Sequence, residues 1–114
     1  MFRKELKVLD CTIRDGGLIN NYQFSEDFVK AVYGAICDAG VDIIELGKKL
    51  MESDEYPRTK YGPWNYCDEE VLKRIVGSYK GSTHPQIAVM FDIGRVDLNG
   101  LAHKKDSVVD MVRT

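Results

Sequence analysis

The chain has 114 residues, 44% of them hydrophobic and 30% charged, the make-up of one ordinary globular domain and less than half the ~250 residues of a closed eight-stranded barrel. Its 16 basic and 18 acidic side chains give a net charge of −2 with no basic run, which excludes nucleic acid and anionic membranes as expected partners. The apolar stretches are too short to span a bilayer, Met1-Phe2-Arg3-Lys4-Glu5 has no apolar signal segment, and Cys11, Cys37 and Cys67 form no Cys-x-x-Cys pair, so reduced thiols in a cytoplasmic compartment are expected.

Residues 6–13 read as a first strand, with Leu6, Val8, Asp10, Thr12 and Arg14 on one face. That face turns polar toward its end, as in a barrel interior opening into a site. Ser25 caps a first helix with Glu26 and Asp27 in its opening turn and Phe24 stapled to Val29. Its apolar stripe is Phe28, Ala31, Val32, Ala35, Ile36 and Ala39, and Gly40 ends it. Val41-Asp42-Ile43-Ile44-Glu45-Leu46-Gly47 is nearly continuous in apolar residues, which marks a strand covered on both faces.

Asp68 opens a second helix through Val71, Leu72, Ile75, Val76 and Tyr79, with Gly81 as its stop. Residues 86–91 form the third strand. After a polar connection containing Gly94 and Gly100, residues 107–113 form a fourth. The β-α-β-α alternation predicts parallel strands with helices on the outside. The last strand has no helix to cover it, so residues 1–114 read as the N-terminal part of a longer barrel, with exposed strand edges that favour homo-oligomers.

The residues with chemistry to offer lie at strand ends. Arg14 carries a fork of donors suited to a carboxylate or an enolate oxygen. Asp15 is a hard oxygen ligand for Mg²⁺ or Mn²⁺, or an acceptor that orients Arg14. The plainer reading of the pair is a surface salt bridge at a turn. Glu45, inside an apolar strand, needs a partner, and Arg14 on the neighbouring strand is the obvious one, in a catalytic or a structural ion pair. Lys48 and Lys49 read as solvated loop lysines rather than Schiff-base formers, and His84 and His103 as exposed. Tyr61, Trp64 and Tyr66 either wall a pocket or pack onto the barrel rim. Asp92, Arg95 and Arg113 end strands three and four, where each can line the same mouth.

Residues 9–16, then a capped helix, then Ala39-Gly40-Val41-Asp42-Ile43-Ile44-Glu45-Leu46-Gly47 resemble the metal-dependent aldolase and lyase barrels. That superfamily includes 4-hydroxy-2-oxovalerate aldolase, hydroxymethylglutaryl-CoA lyase and isopropylmalate synthase. Its members carry a D-x-T-x-R-D-G strand end followed by a G-[VA]-D-x-I-E-[VL]-G strand, and Val109-Asp110-Met111-Val112-Arg113 is similar to their fourth strand. The resemblance implies the N-terminal half of a (β/α)8 TIM barrel, about four parallel strands with outer helices. It implies a complete protein that uses Mn²⁺ or Mg²⁺ to make or break a carbon–carbon bond of a 2-oxo acid such as pyruvate through an enolate. Asp15 is similar to the family's metal-ligand aspartate, Arg14 to its enolate-stabilising arginine, and Glu45 to its strand-two glutamate, a second candidate catalytic group.

Leu18 stands where oxovalerate aldolases carry a histidine, and Gly17-Leu18 where the synthases read Glu-Gln. The family's His-x-His metal ligands are absent from the chain, so these 114 residues alone are expected neither to hold metal tightly nor to turn over. The competing reading is a barrel of the same fold that binds a ligand or partner without catalysis.

Overall fold

The computed structural model describes residues 3–96, 98–99 and 101–114; Met1, Phe2 and Gly100, used above, lie outside them, as does Asp97. Among the described residues four strands form one sheet in the order β1 (Leu9–Asp10), β2 (Ile43–Lys48), β3 (Gln86–Met90), β4 (Met111–Arg113), and every pairing is parallel. Helices α1 (Thr12–Asn20) and α2 (Glu26–Ala39) connect β1 to β2, and α3 (Glu69–Ser78) connects β2 to β3. This is the α/β architecture expected of half a TIM barrel.

The first strand is shorter than the alternation predicts, and its end is a helix. Asp10 accepts from the Thr12 amide at 3.2 Å and from its hydroxyl at 2.7 Å, which satisfies a free donor at the head of α1 and turns the chain at once. Leu6 and Val8 are therefore solvent-exposed rather than facing an interior, and Arg14 and Asp15 sit in the first turn of α1. The strand entries share one device: Asp42 accepts from the Val8 amide at 2.7 Å and Asp110 from the Ile87 amide at 2.9 Å. Each aspartate thereby satisfies an amide at the entry of the neighbouring segment.

Helix α2 begins as read from the sequence, with the Ser25 hydroxyl accepting from the Phe28 amide at 3.1 Å and Gly40 left-handed at φ 72°. Its buried stripe is rotated from the expected one: Val29, Tyr33 and Cys37 face the core, Val32 and Ile36 of the expected stripe pack against it half-buried, and Phe28, Ala31, Ala35 and Ala39 are exposed. Spacings of four bring the first three onto one line, and the largest of them, Tyr33, sets the face. Phe24 stacks on Phe28 at 5.4 Å between ring centroids, and it also packs, half-buried, against the core cluster that contains Val29.

Helix α3 buries Leu72 and Ile75 and ends at Ser78, before Gly81. Asp68 precedes it without capping, because its carboxylate takes the Arg58 guanidinium at 2.8 and 3.1 Å instead. Ile44, Leu46, Ile87 and Val89 meet Val29, Tyr33, Cys37, Leu72, Ile75 and Trp64 in one core between sheet and helices. Burial of each such side chain contributes on the order of 1.5–3 kcal/mol.

The three cysteines are free, Cys37 and Cys67 buried and Cys11 half-buried. Burial pushes the Cys67 thiol up to about 12, and it also raises Cys11 and Cys37. Alkylation by iodoacetamide at pH 8, followed by mass spectrometry, is expected to mark Cys11 slowly and the other two only after denaturation, because the thiolate is the nucleophile.

Candidate functional site

Because Ile44, Leu46, Ile87 and Val89 face the helices, the alternation of a strand turns Glu45, Ala88 and Met90 to the opposite, concave face. Register places Glu45 beside Ala88, Ala88 beside Met111 and Met90 beside Arg113. The concave face thus carries a buried carboxylate, a thioether and a guanidinium within a few residues of the strand ends.

Glu45 is fully buried. Arg113 forms a two-pronged bond with it, Nε to Oε2 at 2.8 Å and Nη2 to Oε1 at 2.7 Å. Arg14 approaches from α1, its Nε 3.4 Å from Glu45 Oε1. Nε of Arg14 also lies 3.0 Å from Met90 Sδ, Nη2 touches the same sulfur, and Nη1 donates to Asp15 Oδ1 at 2.7 Å. The carboxylate raises the Arg113 pKa further, by hydrogen bonding first and by charge second. Two parallel N–H···O bonds to a fork are the strongest form of such a pair.

The structure therefore brings Arg14 and Glu45 together, with Arg14 reaching in from helix α1 rather than from a neighbouring strand, and adds Arg113 as the tighter partner. Asp15 touches Arg14 but its side chain is 64% exposed, so one oxygen faces the guanidinium while the group remains open to solvent. Cys11 lies near enough for Glu45 and Asp15 to add to the burial that raises its pKa, which keeps it a thiol.

Lys48 ends β2, 3.7 Å from Asp92. Lys49 is buried, against expectation, and its ammonium donates to the Tyr66 and Cys67 carbonyls at 3.3 Å each. Carbonyl oxygens replace water around that charge. Arg95 turns away to the Tyr56 hydroxyl at 3.0 Å and to Glu55 at 3.7 Å. His84 bonds the buried Tyr33 hydroxyl through Nδ1 at 2.7 Å, and His103 Nδ1 accepts from the Lys105 amide at 3.4 Å.

Trp64 and Tyr66 pack down, the indole donating to the Phe24 carbonyl at 2.9 Å and the Tyr66 hydroxyl to the Tyr56 carbonyl at 2.7 Å. Tyr61 instead lines a 250 Å³ cleft with Gly17, Leu18, Asn21, Tyr22, Lys48, Tyr56 and Asn65. The sequence singled out neither Tyr22 nor Asn65. The nearest signal was Asn20-Asn21-Tyr22, three residues past the glycine pair Gly16-Gly17: Asn21 and Tyr22 adopt left-handed φ of 56° and 61°, a turn that asparagine favours.

A divalent metal fits this set in part only. Asp15 offers one hard oxygen, and among the described residues no group of three or more His, Cys, Asp or Glu converges as a metal site would require.

A parallel half-barrel with an arginine–carboxylate cage at its strand ends has the layout of a barrel enzyme's catalytic face. No family model matches the chain. It is similar to 4-hydroxy-2-oxovalerate aldolase 1 of Rhodococcus erythropolis, 31% identical over 107 residues, or 92% of this chain and 27% of that protein. It is also similar to oxaloacetate decarboxylase of Mycobacterium tuberculosis, 33% identical over 70 residues, 61% of this chain and 20% of that one. Among solved structures, an N-terminal domain assigned to an aldolase of Bacteroides vulgatus superposes with a TM-score of 0.76 at 33% identity, covering 94% of this chain and 34% of the other. The chain corresponds to an N-terminal portion of the aldolase superfamily, and it spans only about a fifth to a quarter of the length of the curated relatives it matches.

Proposed function

We propose that residues 1–114 are the N-terminal part of an aldolase-type barrel whose complete protein makes or breaks a carbon–carbon bond of a 2-oxo acid. One observation carries this reading: Arg14 is held by Glu45, Met90 and Asp15 at the mouth of the concave face. Cleavage beside a 2-oxo group, by aldol reversal or by loss of carbon dioxide, leaves the same enolate oxygen. The two relatives named above carry out those two kinds of cleavage by name. A guanidinium fixed before the reaction stabilises that oxygen as charge develops on it, without reorganising at that moment.

In this reading Arg14 is the catalytic residue. Glu45, with both oxygens engaged by guanidinium groups, is a positioning residue that keeps Arg14 from swinging away. Metal dependence belongs to the same proposal: Asp15 would supply one oxygen ligand, and a bound Mn²⁺ or Mg²⁺ would polarise the 2-oxo group. The other ligands would have to come from outside these residues.

The test is pyruvate formation by the complete protein from 4-hydroxy-2-oxo acids and from oxaloacetate, with and without added Mn²⁺. Turnover with either substrate is expected. Absence of turnover together with an unchanged melting temperature on metal addition would overturn the reading in favour of a barrel that only binds a ligand.

A further inference from the structure

The 250 Å³ cleft beside the cage is lined by two buried polar side chains that nothing explains. Tyr22 is 3% exposed and Asn65 1% exposed, yet among the described residues the Tyr22 hydroxyl and Asn65 Nδ2 have no hydrogen-bond partner. Buried polar atoms in folded proteins are nearly always paired, so two orphans at one cleft point to an occupant. The third polar wall is Lys48, whose ammonium lies 5.8 Å from the centre of the Tyr22 ring. Among the described residues its ion-pair partner is Asp92, at 3.7 Å, which does not line the cleft.

The walls are fixed. The Tyr22 ring lies against Gly17, where a Cβ would fall 1.9 Å from Cδ1 of that ring. Gly62 donates to the Asn21 carbonyl at 2.8 Å, and the Asn65 carbonyl accepts from Leu50 at 3.1 Å. Helix α1, the end of β2 and the loop carrying Asn65 are thereby tied together around the space. An amide N–H₂, a hydroxyl and an ammonium form a donor set, and a donor set selects an anionic oxygen group.

We propose that this cleft is a second subsite, binding a carboxylate or phosphate oxygen group through Lys48, Asn65 and Tyr22. Lys48 supplies the charge, Asn65 Nδ2 and the Tyr22 hydroxyl donate, and the aromatic edges of Tyr56 and Tyr61 narrow the opening. Assigning the group to the far end of a substrate whose reacting end meets Arg14 rests on the function proposed above. The anion site itself does not, and its test uses neither metal nor turnover.

The ¹⁵N-labelled protein is titrated separately with inorganic phosphate and with malonate, with chloride at matched ionic strength as control. The Asn65 side-chain amide signals are expected to shift saturably with at least one of the two anions, and not with chloride. Preference for phosphate identifies a phosphorylated ligand; preference for malonate identifies a carboxylate. Lys48→Met is expected to weaken binding at least ten-fold. Tyr22→Phe is expected to weaken it several-fold with an unchanged melting temperature, since its hydroxyl has no protein partner to lose. Shifts that match chloride, or that persist undiminished in both variants, would overturn the subsite and leave the lyase reading to its own assay.

Discussion

Glu45→Ala is expected to lower the unfolding free energy by about 3 kcal/mol, read as a fall in the urea midpoint without a change in slope. The carboxylate is fully buried and meets two guanidinium groups. Removing one partner of a buried pair costs roughly 3–5 kcal/mol because the remaining charge is left unpaired. Two features hold the value near the lower end. The Arg113 side chain is 43% exposed and can turn to water, whereas Arg14 is 13% exposed but keeps Asp15. Most of the cost therefore falls on the cavity and on the partly buried Arg14. Glu45→Gln keeps the volume and one acceptor, and should lose clearly less. Replacing Glu45, Arg14 and Arg113 together by leucine and methionine is expected to leave stability nearly unchanged, since buried ionic clusters are often matched by apolar residues of similar volume. That contrast separates a cage retained for stability from one retained for its chemistry. If the triple variant were as unstable as Glu45→Ala, the cage would be part of what holds the fold.

Much of this architecture was legible in the chain because its signals are local. Ser25 and Gly40 bracket α2 by capping chemistry, and 41–47 reads as a buried strand because it is nearly continuous in apolar residues, with β2 formed at Ile43–Lys48. What failed were readings that turned on the exact surroundings of a side chain. Residues 10–14 alternate in polarity like a strand, but the Asp10 carboxylate bonding back to Thr12 starts a helix there, and a local side-chain bond outweighs a short alternation. Lys49 reads as solvated until the Tyr66 and Cys67 carbonyls close over it. The Glu45–Arg14 pairing was readable, since a lone carboxylate in an apolar strand demands a cation. Its stronger partner, Arg113, lies 68 residues away and became visible only once β3 and β4 were in register. Tyr22 and Asn65 gave no signal because an unpaired donor is a property of surroundings, not of sequence.

Arg14→Gln in the complete protein is expected to reduce kcat/KM for the 2-oxo acid by roughly 10²- to 10³-fold, the range seen when one preorganised donor to a developing oxyanion is lost. Arg14→Lys should recover little of this. Lysine keeps the charge but has one donor head where the native side chain spans three contacts, Nη1 to Asp15, Nε to Met90 Sδ and Nε beside Glu45, so it cannot hold the same direction. The loss should fall mainly on kcat, because an interaction that strengthens as the enolate forms lowers the barrier more than it tightens substrate binding. Folding should be spared: with Arg14 gone, Glu45 keeps both bonds to Arg113, so the buried carboxylate is never unpaired. A melting temperature near the native one therefore accompanies the expected loss, and it distinguishes a catalytic guanidinium from a structural one. Equal turnover by Arg14→Gln and the native protein would remove Arg14 from the mechanism and, with it, the reason to read this cage as the reacting centre.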